Sequence, residues 1–253
     1  MPKQERTFRT TAIILKRRDF GEADRLLTLV TPQHGKLDAI AKGARKPTAR
    51  KTGHVELFTR ADMLINRGRN LDIVSQAEMT EPYLALREDL RRGAYASYIA
   101  ELLDKFTATG DDDQGSLFEL LDNSLQRLCR DEDLRMVARY YEIRLLDEVG
   151  FRPELNECVF TRDAIQAEDQ FFSYAEGGVV SPLAAKYAAS LVPINMTTLK
   201  MLRHMQRSPY DYVKTVKMTS NLHNDLERII LGYATYLLEN KLQSIDFIRR
   251  IRS

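Results

Sequence analysis

The side chains in this chain with the clearest potential for chemistry are four histidines, two cysteines and one run of three aspartates. His34, His54, His204 and His223 are scattered, and no HxxxH or HExxH pair offers a metal two ligands from one helix face. Cys129 and Cys158 are too few for a disulfide scaffold, which points to a reducing compartment. Asp111, Asp112 and Asp113 supply oxygen, but the spacing and distal glutamate of a calcium loop are missing. GARKPTARKT (43–52) ends like a phosphate loop in Lys-Thr. It places Arg50 where a glycine must let backbone N–H groups approach phosphate, so nucleotide binding is rejected there. The expectation is no catalytic residue, no metal and no cofactor.

Cations are the informative feature. Lys42, Arg45, Lys46, Arg50 and Lys51 fall within ten residues on an expected loop, and Lys16, Arg17, Arg18, Lys36, Arg67 and Arg69 lie on expected strand ends nearby. Long cations on loops suit phosphate contacts, which give affinity without reading sequence. A solvated charged surface is the plain alternative. Against it, residues 1–80 hold 16 Lys and Arg against 9 Asp and Glu, a net of +7, while the remaining 173 residues carry −5. Only three aromatics, Phe8, Phe20 and Phe58, lie in those 80 residues, each within or beside an apolar run. They read as core, which predicts strands held by their phosphates with the bases left free.

Two compositions in one chain predict two domains, 1–80 and 81–253. In the first, short β-compatible runs recur: Phe8 to Arg17, Leu26 to Thr31, Leu37 to Ala41, Val55 to Ile65 (the longest candidate) and Leu71 to Ala77. Asn66 to Asn70 reads as a hairpin turn. Five short antiparallel strands fit a small closed barrel, either of the oligonucleotide/oligosaccharide-binding (OB) type or SH3-like. After Pro82 the period becomes helical. Helices are predicted over 84–106, over 117–128 with Ser116 as cap, from Asp131 or Asp133 to Glu148, from Pro182 and Thr197, and after Ser220. Residues 151–181 read as irregular or a short hairpin. The fold class is therefore α+β. No apolar run can span a bilayer and the first residues lack a signal peptide's apolar core, so a cytoplasmic protein is expected.

The run FGEADRLLTLVTPQHGKLDAIAKGARKP (20–47), followed by Gly68-Arg69-Asn70-Leu71-Asp72, resembles the N-terminal domain of the RecO family of bacterial recombination mediators. SQAEMTEPYLALREDL (75–90) continues the resemblance, and LHNDLERIILGYATYLLENKLQSIDFI (222–248) is similar to the family's closing helix. The resemblance implies an OB-fold followed by a helical domain, binding of single- and double-stranded DNA, and annealing of complementary strands without ATP. It also implies work with RecR in loading RecA onto strands coated by single-stranded-DNA-binding protein (SSB), with RecF and RecA as indirect partners, at the nucleoid. The family's basic barrel surface would fall on Lys36, Lys42, Arg45, Lys46, Arg50 and Lys51.

One departure stands out. Many members carry a four-cysteine zinc site in the insertion at 151–181, beginning C-x-x-C; here Cys158 stands alone and Thr161 takes the second position. A hydroxyl does not replace a thiolate on zinc. The acidic SSB tail would need a local basic rim around an apolar pocket, and Arg127, Arg130, Arg135 and Arg139 are the candidates in the helical domain. An RNA-binding OB accessory protein is the second reading.

Overall fold

The computed structural model describes residues 6–46, 52–110, 114–239 and 242–252. Two compact units divide it, the first holding residues 1–130 and 244–253, the second Asp131–Gln243. The compositional boundary at 80/81 instead coincides with the end of the last barrel strand.

The barrel is built from β1 (Thr7–Phe20), β2 (Asp24–Thr31), β3 (Gly35–Ala41), β4 (Arg60–Asn66) and β5 (Asp72–Glu81). They pair in the ring β1-β2-β3-β5-β4, closed by β4 on β1, which is the OB arrangement. Closure depends on β1 having two partners. Thr7–Ile13 pairs with β4, Ile13–Phe20 pairs with β2, and a register shift between Ile14 and Lys16 bends the strand where it changes neighbour. Ala12, Ile14, Leu27, Leu29, Leu37, Ala39, Ala61, Met63, Ile65 and Val74 fill the interior. Ile13 and Leu15 point the other way and are also buried, because α2 (Leu90–Phe106) packs on β1 outside the barrel.

Several expected elements differ. Val55 to Thr59 is not strand: a 3-10 turn (Thr52–His54) and a left-handed Phe58 (φ 60°) precede β4. The helix expected over 84–106 breaks into α1 (Ala85–Glu88) and α2, because Asp89 turns extended and its carboxylate takes the Arg91 and Arg92 N–H groups. Then α3 spans Gly115–Arg130, placing Ser116 inside the helix rather than at its cap. The aspartates 111–113 lie outside the described residues.

In the second unit α4 (Leu134–Glu148) is capped by Asp133 and packs on α5 (Met196–Arg207) and α7 (Ser220–Leu238), with the short α6 (Tyr210–Val213) between them. The insertion keeps a small sheet of β6 (Gln170–Ser173), β7 (Gly178–Val180) and β8 (Val192–Ile194), in the order β7-β6-β8. The chain ends in α8 (Gln243–Arg252), which belongs to the first unit after Gln243. No described helix is long and apolar enough to cross a membrane.

Candidate nucleic-acid interface

The cations gather where β1 turns into β2. Phe20 pairs with Asp24 across the turn at 21–23, and Gly21 takes φ 58°, a conformation that side chains disfavour. The loop after β3 folds back onto this tip. Arg45 donates its N–H to the Ala23 carbonyl (2.9 Å), and its Nη1 donates to the carbonyls of Gly21 (3.4 Å) and Glu22 (3.3 Å). The Gly43 N–H reaches Asp24 Oδ1 at 2.7 Å. Arg45 also pairs with Asp19 at 3.4 Å. Two segments twenty residues apart in sequence are thus locked together, with Arg17, Arg18, Lys42, Arg45 and Lys46 all exposed there.

These cations are not equally available. Arg17 and Arg25 both pair with Glu56, and Lys16 pairs with Asp104 on α2. Arg18 and Lys42 have no ion-pair partner among the described residues. Arg50 and Lys51 lie outside those residues. Lys36 leaves the DNA-binding set altogether. It is only 6% exposed, and its ammonium donates to the carbonyls of Asp104 (2.6 Å) and Thr107 (2.5 Å) and to Asp104 Oδ1 (3.2 Å). It fastens α2 to the barrel. Burial works against the Asp104 charge, but Lys16 and Lys36 outweigh it and hold that carboxyl below its ordinary range.

Arg67 and Arg69 are exposed too, but on the β4–β5 turn, where the Arg67 N–H meets the Arg6 carbonyl at the start of β1. Ten residues of β1, roughly 33 Å of extended strand, run between that end and Arg17. The structure therefore separates into two clusters what the sequence suggests as one surface. A barrel groove of about 870 Å³ is lined by the outward residues Arg9, Thr11, Asp62, Leu64, Gln76 and Glu78, among others. Its mixed charge does not suit a phosphate track.

Sequence reasoning also misplaced one ring. Phe8 and Phe58 are buried as expected, whereas Phe20 is 42% exposed at the tip of the basic hairpin. Its flanking residues Asp19 and Gly21 were the available sign, since neither continues the apolar run.

Among the expected partner-binding arginines, Arg139 is buried inside the helical unit, its Nη2 2.7 Å from Glu142 Oε1, and so it leaves the candidate set. Arg135 is half-buried against Asn224 and Glu227. Arg127 and Arg130 close α3 in the first unit, Arg130 exposed. The apolar crevice among Leu146, Phe172, Leu202 and Ile230 has only about 10 Å³ free, too little for a side chain.

The insertion does not fit zinc. Cys158 is fully buried, and its sulfur accepts hydrogen bonds from the Ser181 N–H (3.4 Å) and hydroxyl (3.6 Å). Ala184 packs in the same cluster. One thiol among hydroxyls and a methyl is not a tetrahedral zinc donor set. Metal analysis of the purified protein should therefore find no stoichiometric zinc; one zinc per chain, lost on Cys158→Ala, would overturn this.

Burial raises the Cys158 pKa, but hydrogen bonds from the backbone and hydroxyls of Ser181 and Thr161 outweigh it and bring the thiol down to about 6. A group depressed on folding stabilises fully above its unfolded pKa and loses that contribution as pH falls through the folded value. Cys158→Ala should accordingly destabilise the protein more at pH 8.5 than at pH 6, as read by urea unfolding. An equal loss at both would show that the sulfur is neutral.

Residues 5–83 match the family described as "Recombination protein O N terminal", and residues 87–246 the one described as "Recombination protein O C terminal". The chain is 39% identical over 243 residues to a DNA repair protein RecO from Pelotomaculum thermopropionicum, covering 96% of this chain and 94% of that one. A protein of the same description from Roseiflexus sp. is 33% identical over 249 residues, covering 98% and 87%. One from Moorella thermoacetica is 31% identical over 245 residues, covering 96% and 91%.

Proposed function

The chain belongs to the RecO family of DNA repair proteins, and on that premise we propose that it is a recombination mediator that captures DNA by its phosphates and anneals complementary strands. It does so without ATP and without chemical turnover of its own. The observation that carries the reading is the pinned barrel end, where Arg18 and Lys42 stand without an acid partner among the described residues beside Arg17, Arg45 and Lys46. Phosphate contacts of this kind serve single and double strands alike.

Acting with RecR, the protein helps RecA replace SSB on single strands at the nucleoid; RecF and RecA are met indirectly. The acidic SSB tail binds at residues 81–253, where Arg127 and Arg130 in the last turn of α3 and the half-buried Arg135 are the remaining candidates. The deciding experiment is annealing of complementary oligonucleotides pre-coated with cognate SSB, without nucleotide. Specific acceleration supports the proposal. DNA binding without acceleration, or displacement of labelled single-stranded DNA by RNA at equal concentration, would favour an RNA-binding role instead.

A further inference from the structure

We propose that Phe20 is a base-stacking residue, the one point at which the barrel holds a nucleobase rather than a phosphate. The inference rests on the DNA-binding reading of the same barrel end. Single exposed apolar side chains are ordinary, so exposure alone carries nothing. The position does. Among the described residues of the barrel, Phe20 is the one exposed aromatic, and it sits at the convergence of the cations.

Alternation along β1 puts Phe20 on the same face as Arg18, and its cross-strand neighbour Asp24 shares that face. Asp24 is occupied by the Gly43 N–H, which draws the loop bearing Lys42 up to that side. Arg18 thus shares the ring's face two residues along its own strand, and Lys42 directly precedes the Gly43 held by the ring's cross-strand neighbour. A strand whose phosphates meet these two cations brings an intervening base to the ring. The tip is also held in place before any ligand arrives, by the hydrogen bonds of Arg45 to Gly21, Glu22 and Ala23. A preorganised ring loses little freedom on stacking.

Stacking at one position leaves the neighbouring bases free to pair. It fixes a strand against sliding while its other base edges remain exposed, an arrangement that phosphate contacts alone do not give.

The test uses the full chain, an oligothymidylate and an abasic strand of equal length. Phe20→Ala should weaken oligothymidylate binding by roughly 5- to 150-fold, the range for loss of one stacked base, and leave abasic binding unchanged. Phe20→Trp supplies the protein's sole tryptophan, and its emission should be quenched by oligothymidylate but not by the abasic strand. Equal losses on both strands with Phe20→Ala, or a tryptophan that does not respond to bases, would overturn the proposal. A paired Arg18→Ala/Lys42→Ala variant separates the two levels of inference. If it binds both strands as before, the interface reading itself fails; if it loses both while Phe20→Ala loses neither, only the stacking role fails.

Discussion

Replacing Arg139 by Met should cost the protein about 3–5 kcal/mol, because it takes away the guanidinium that lies 2.7 Å from the Glu142 carboxylate in the helical interior. The two side chains are 2% and 0% exposed, so water cannot take over the role. Replacing both, with Arg139→Met and Glu142→Leu together, should recover most of the loss, since two apolar groups need no compensation. Urea unfolding followed by circular dichroism gives both values. If the single variant is as stable as the parent, the pair is not a buried charge pair. A partner-binding role for Arg139 would instead show as lost tail affinity at unchanged stability.

Changing Lys42, Arg45, Lys46, Arg50 and Lys51 together to Ala should flatten the dependence of log K on log salt for single-stranded DNA. The ceiling is about 3.5, at roughly 0.7 per phosphate contact. The observed change should fall below it, because Arg45 is already engaged with Asp19 and the tip carbonyls. Restoring Lys36 to that set would mislead. A Lys36→Ala protein would lose affinity by loosening α2 from the barrel, visible as a lowered melting temperature. A five-fold variant with an unchanged salt slope would place the phosphate contacts elsewhere.

The contrast between Lys36 and Lys42 shows how far sequence goes at this site. Both are lysines at ends of β3 in a +7 segment, and charge counting treats them alike. Their fates depend on what lies across the fold: α2 carbonyls for one, solvent for the other. The same limit explains Arg139, whose Glu142 partner three residues on is as typical of a solvated helix face as of a buried one. The barrel itself was legible, since alternation within short runs and turn residues are local signals. So was the change to helical period after Pro82. Strand spacing did not choose OB over SH3-like; the family resemblance implied it, and the long-range pairing bears it out, since Thr7 on Asn66 and Ala39 on Asp72 are contacts that no local pattern encodes.

The ring of strands is closed by a seam that is short. β3 meets β5 in parallel at just two residue pairs, Ala39 with Asp72 and Ile40 with Ile73, so from Val74 onward one side of β5 runs beyond its β3 neighbour. A strand with an open side is a template on which another chain can add, the usual route to unwanted self-association. This one is defended in three ways. Glu78 is exposed along it, and the pairing with β4 is interrupted by two register shifts that twist the ribbon. The 3-10 turn at 52–54 lies against it, and His54 Nδ1 accepts the Met79 N–H at 3.0 Å. A second copy approaching this side meets a carboxylate, a twisted ladder and a donor already taken. Each of these features works against edge-to-edge joining of two barrels along this strand.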